Sequence, residues 1–132
     1  MTTVSILRLY CDPDGESHFK TLQLKTEIQT LGSSLSLSAI AEAIPTTSLT
    51  IREVREEGTK PLVWHPNPHR RIEIFPAGLC EIEASDGDVR RFGPGHNLIL
   101  LGEDVSGKGH LFRPISGPRI TLFLDVPDDW QP

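Results

Sequence analysis

Residues 79–92 read Leu-Cys-Glu-Ile-Glu-Ala-Ser-Asp-Gly-Asp-Val-Arg-Arg-Phe. Cys80, Ile82 and Ala84 alternate with Glu81 and Glu83, the period of a strand with one dry face and one wet face. Asp86-Gly87 follows, a dipeptide that tolerates the positive backbone angles of a two-residue hairpin turn. Residues 79–85 and 88–92 are therefore expected to pair antiparallel. Gly93-Pro94-Gly95 turns the chain again, ahead of an apolar strand over 97–101.

The same grammar extends outward. Eleven glycines and eleven prolines punctuate the chain as turns between short apolar runs, which argues for an all-β sandwich or barrel. Strands are expected over 4–10, 21–28, 48–55, 62–65, 71–75, 108–113 and 119–125, with Pro76-Ala-Gly78 breaking the chain after 71–75. The stretch 32–47 is rich in Ser, Thr and Ala and reads least clearly. Within it, 38–43 suits either one or two helical turns capped by Ser36 or Ser38, or a surface loop. At least eight short strands with little helix predict an antiparallel barrel, closed or sandwiched.

The chain has 132 residues, a length that fits one domain over 1–132 with a polar tail at 127–132. No apolar run approaches the ~18 residues of a membrane span. The first ten residues lack the basic and apolar regions of a secretory leader. Eighteen acidic and thirteen basic residues give a formal charge of −5, a poor match to a phosphate backbone. Arg52, Arg55, Arg90 and Arg91 are scattered among acids, which argues against a nucleic-acid patch. Gly107-Lys108-Gly109 lacks the spacing of a nucleotide-binding loop. Cys11 and Cys80 permit at most one bridge. These features predict a soluble, reduced, cytoplasmic protein with no nucleic-acid or membrane partner.

Two segments, about 64–78 and 87–110, resemble the two-part signature of the cupin superfamily. The likeness is carried by Trp64-His65 with Pro68, by Gly78, by Asp86-Gly87, by Arg90-Arg91-Phe92-Gly93-Pro94-Gly95 and by Gly107-Lys-Gly-His110. Asp14-Gly-Glu-Ser-His-Phe19 adds a likeness to one small cupin subgroup. The resemblance implies a single-domain jelly-roll β-barrel. In metal-binding cupins, three imidazoles and a carboxylate hold the ion. By the same alignment His65 keeps the first position, Asn67 stands at the second, Arg71 at the carboxylate and Leu98 at the last. A guanidinium only donates hydrogen bonds and stays protonated, so no metal and no cofactor is expected.

On a strand, Arg71, Glu73 and Phe75 share one face, and Ile72 and Ile74 share the other. In the family's register the first set points inward. Outward Ile72 and Ile74 would then call for a partner, which predicts a homodimer through a sheet face or an edge strand. Another reading makes Arg71 and Glu73 an ion pair across a half-exposed face. The candidate proton-transfer residues are His65, Glu73 and His110, because imidazole and carboxyl groups titrate within reach of neutrality. The candidate binding residues are Trp64, Asn67, Arg71 and Phe75: a fixed cationic fork, an amide and aromatic walls. The function expected is metal-independent binding of a small organic molecule in the barrel, with non-redox proton-transfer chemistry if it is an enzyme. A non-catalytic binding or sensing module, and a metal-dependent dioxygenase or isomerase, are the alternatives.

Overall fold

The computed structural model describes residues 3–31 and 36–132; positions 32–35 of the Ser/Thr-rich stretch lie outside the described residues. The described chain is all-β. Eight strands follow one another: β1 (Thr3–Cys11), β2 (Ser17–Leu31), β3 (Ser36–Ala41), β4 (Ser48–Val54), β5 (Arg71–Ala84), β6 (Val89–Phe92), β7 (Ile99–Gly102) and β8 (His110–Asp125). They form one sheet in the order β3-β2-β1-β7-β5-β8-β4, with β6 added to β5. Among the described residues the ladder does not close: β3 and β4 are its edges.

The 79–92 hairpin forms as its alternation requires, Ile82 pairing with Arg90 and Cys80 with Phe92. Gly87 supplies the positive φ of its turn, at 93°. Elsewhere the strands depart from expectation. β5 and β8 are long and pair along most of their length, from Arg71↔Asp125 to Ala84↔His110. Pro76-Ala-Gly78 does not end β5; it bends it, through register shifts between Ile74 and Cys80. Bulges of this kind re-aim a strand without ending it. The all-β sheet so built is consistent with a jelly-roll-like domain.

Three further expectations are corrected. β1 and β7 pair parallel, Leu7 beside Leu100, so the sheet is mixed. Residues 38–41 belong to strand β3, paired with β2, because the ladder satisfies their backbone better than a short isolated helix can. The strand expected at 62–65 reduces to a single bridge between His65 and His110.

The core lies on both faces of the sheet. Leu7, Leu9, Phe75, Cys80, Ile82, Ala84, Phe92 and Leu100 make one cluster, with Phe19 and Phe112 against it. Ile6, Ile72, Leu101 and Val126 make the second, covered by Leu22, Leu24, Ile44 and Trp130. Ile72 is thus core rather than an outward dimer surface, and Ile74 packs against the same cluster. The alternation is as expected, but both faces are dry.

The tail is held from the front of this second cluster. Arg70 donates to the carbonyls of Pro127 and Asp128 and lies over the Trp130 ring. The Glu103 carboxylate receives both Arg70 and Arg8. Among the described residues, no helix is long and apolar enough to cross a membrane.

Candidate functional site

The bridge at His65 organises the candidate site. His65 and His110 exchange both backbone hydrogen bonds at 3.0 Å. Their rings meet edge to face, with centroids 4.8 Å apart. So close an approach requires Gly109. A side-chain carbon there would stand 2.2 Å from the His65 carbonyl carbon, and its φ of +70° already disfavours other residues.

Behind the rings lies a buried hydrogen-bonded chain. Asp104, fully withdrawn from solvent, accepts the Nδ1–H of His110 on one oxygen at 2.6 Å and the side-chain amide of Asn67 on the other at 2.7 Å. The Asn67 backbone N–H also reaches the Asp104 carbonyl. A carboxylate on Nδ1 fixes the tautomer, leaving Nε2 of neutral His110 as its acceptor. The Nδ1–H of His65 donates to the Pro66 carbonyl at 3.1 Å, so its Nε2 is likewise the basic atom. Asn67 Oδ1 is buried without a hydrogen-bond partner among the described residues.

Arg71 and Glu73 face inward together. Arg71 Nε donates to Glu73 Oε1 at 3.1 Å, and the guanidinium lies over the Phe123 ring, 4.1 Å from its centroid. The pair is not on a half-exposed face, since Glu73 is buried. Burial pushes the Glu73 carboxyl above its ordinary range, against the opposing pull of Arg71 and His110. A carboxyl biased toward its neutral form can donate a proton, which a solvated glutamate rarely does near neutrality.

The other sequence candidates are distributed differently. Trp64 and His65 are exposed at the rim, whereas Phe75 is core, packed on Phe92 with centroids 5.0 Å apart. Asp104 and Arg119 escaped the sequence reading. Asp104 follows an apolar strand and reaches His110 only because 105–109 folds back; the glycines at 107 and 109 were the available hint. Among the described residues, no three His, Cys, Asp or Glu side chains converge as metal ligands. A guanidinium only donates, and Leu98 carries no donor atom, so neither Arg71 nor Leu98 can ligate a divalent ion.

The interior is densely filled. Phe75, Cys80, Phe92, Arg119 and Thr121 line a gap too narrow to hold a water molecule. Burial pushes the Cys80 thiol there up to about 12, so it is inert as a nucleophile. A roomier groove of about 600 Å³ lies outside, between β2, residues 42–45 and the tail, and touches none of the candidate residues. No family model matches the chain, and no curated protein is similar to it.

Proposed function

We propose that this chain is a small cupin that binds a small organic molecule without a metal, beside the exposed Trp64 and His65, with His110 lying behind them. The chemistry we infer is non-redox proton transfer, with a carbonyl or carboxylate compound as substrate class. The supporting observation is the buried Asp104–His110 pair. A carboxylate behind Nδ1 holds the imidazole in one orientation and stabilises the imidazolium formed when Nε2 takes a proton. His65, edge-on to that ring, is the second base. Glu73, biased toward its neutral form and held by Arg71, is the candidate proton donor. Asn67, whose Oδ1 lacks a partner among the described residues, orients Asp104.

Deuterium incorporation tests the reading directly. Small 2-keto acids and 1,3-dicarbonyl compounds in deuterated buffer should exchange their carbon-bound acidic protons faster with the native chain than with His110→Gln, by tenfold or more. Nuclear magnetic resonance of the compounds reads the rate. Equal rates for the two proteins across both classes would leave the chain without the proposed chemistry.

A further inference from the structure

Between β4 and the His65 bridge, residues 55–64 form a strap in which every residue is exposed. Arg55 pairs with Glu53 at the end of β4; beyond it, one side chain ties the strap down. Glu57 receives the Arg119 guanidinium through two hydrogen bonds, Nε to Oε2 at 2.8 Å and Nη2 to Oε1 at 3.0 Å. Residues 58–64 make no hydrogen bond or ion pair with any described residue.

Arg119 itself is built into the interior. It is buried, its guanidinium lies over Phe112 with 4.6 Å to the ring centroid, and Thr121 is buried two positions along the same face of β8. Gly78 makes room for it: a side-chain carbon there would fall 2.4 Å from Arg119 Cγ. The narrow gap next to Arg119 is walled by Phe75, Leu79, Cys80 and Phe92. It is closed to a water-sized sphere. The arrangement is a fixed planar cation, apolar and aromatic walls, and one carboxylate delivered by an otherwise untethered segment.

A paired guanidinium and carboxylate make a fork-to-fork contact that any free carboxylate can reproduce. We propose that Arg119 is a binding site for a small monocarboxylate with a flat apolar body, and that Glu57 occupies this site until such a ligand displaces it. The strap residue is then an internal stand-in for the ligand. Its departure exposes the guanidinium, and the ligand's apolar body fills the space that Glu57 leaves beside Arg119. Competition with Glu57 weakens the apparent affinity of the native chain by the fraction of molecules in which the strap is released. The proposal stands on residues separate from His65, His110 and Asp104, so it holds or fails independently of proton transfer there.

Benzoate, with benzamide as its neutral counterpart, tests the site. Titration calorimetry should show benzoate binding Glu57→Gln at least tenfold more tightly than the native chain. Benzamide should bind neither. In the native chain, saturating benzoate should speed amide hydrogen exchange over 57–64. Magnetic resonance of Glu57→Gln should show the Arg119 Nε–H signal moving with benzoate, a readout that needs no substitution at Arg119. Equal benzoate affinity in the two proteins, benzamide binding as well as benzoate, or an unmoved Arg119 signal would each overturn the proposal. Glu57→Gln is melted first; if it is unfolded, Glu57→Asp, whose shorter reach weakens the pair, replaces it with the same expected tightening.

Discussion

Asp104 Oδ2 accepts the Nδ1–H of His110 across 2.6 Å, and neither side chain has appreciable contact with solvent. The partners come from a loop and the first residue of β8, so the contact joins the end of β7 to the long strand pair. A buried carboxylate that loses its donors, or a donor that loses its carboxylate, is left with uncompensated polarity in a poor solvent.

Removing Asp104 should therefore be costly to the fold. Asp104→Ala is expected to lower stability by roughly 3–5 kcal/mol, the range for breaking a buried pair from one side. Urea unfolding measures it. Combined with His110→Phe, the loss should fall short of the sum of the single losses by more than about 0.5 kcal/mol, the signature of direct coupling.

Gly109 is the residue that lets His65 approach His110. Gly109→Ala meets both an unfavourable positive φ and the His65 backbone. It should destabilise by more than the ~1–2 kcal/mol of a left-handed residue alone. The His65 and His110 ring resonances should separate, because the backbone bridge between them cannot form at its present distance.

Glu73 gives a pH signature. Its folded-state pKa is raised above the ordinary 4.5 by burial. The stability it contributes is complete below that ordinary value and is lost as pH rises through the folded value. Glu73→Gln mimics the neutral acid, so the native chain should fall behind the variant as pH climbs above about 4.5. Melting temperatures from pH 4 to 8 provide the comparison. A native chain more stable than the variant throughout would mean Arg71 keeps Glu73 ionised.

His18 should behave as an independent pH-dependent clasp. It is held between Asp12 and Asp86, at 2.7 Å from each, and these hydrogen bonds raise its pKa above 6.5. Its contribution is present below 6.5 and disappears as pH rises through the folded value. The melting difference between the native chain and His18→Ala should shrink in that direction.

Arg70 should hold the tail. Arg70→Ala removes two carbonyl contacts and the cation over Trp130. In a Trp64→Phe background, Trp130 emission should shift to the red, with little change in far-ultraviolet dichroism. An unchanged emission maximum would mean that apolar packing alone seats Trp130.

The legible parts of this chain were the local ones. The 79–92 hairpin needs only alternation and its own turn, both contiguous in sequence, although the turn spans 85–87 rather than the two residues expected. Strand β3 was ambiguous because Ser, Thr and Ala carry little apolar contrast, and its pairing with β2 decides the matter. Ile72 was assigned to the correct alternating set but the wrong surroundings: periodicity tells which residues share a face, not whether a second cluster covers it. The site divided in the same way. His65, Arg71, Glu73 and His110 stand on turns and strands with readable spacing, whereas Asp104 and the Glu57–Arg119 pair depend on distant segments meeting. Beyond the glycines at 107 and 109, neither has a signal that short-range reasoning could find.

The parallel pairing of β1 with β7 sets an order of events on the ribosome. Leu7 is made well before its neighbour Leu100, with β2 to β5 of the chain between them. The β1–β2 hairpin can form early, because its partners are close in sequence, but the apolar face carrying Leu7 and Leu9 then stays uncovered until β7 has been made. Such long-range pairing slows folding, and exposed apolar strands invite association meanwhile. Chaperone demand during expression should accordingly concentrate on the first two strands, and translation that pauses between β3 and β7 should lower the soluble yield.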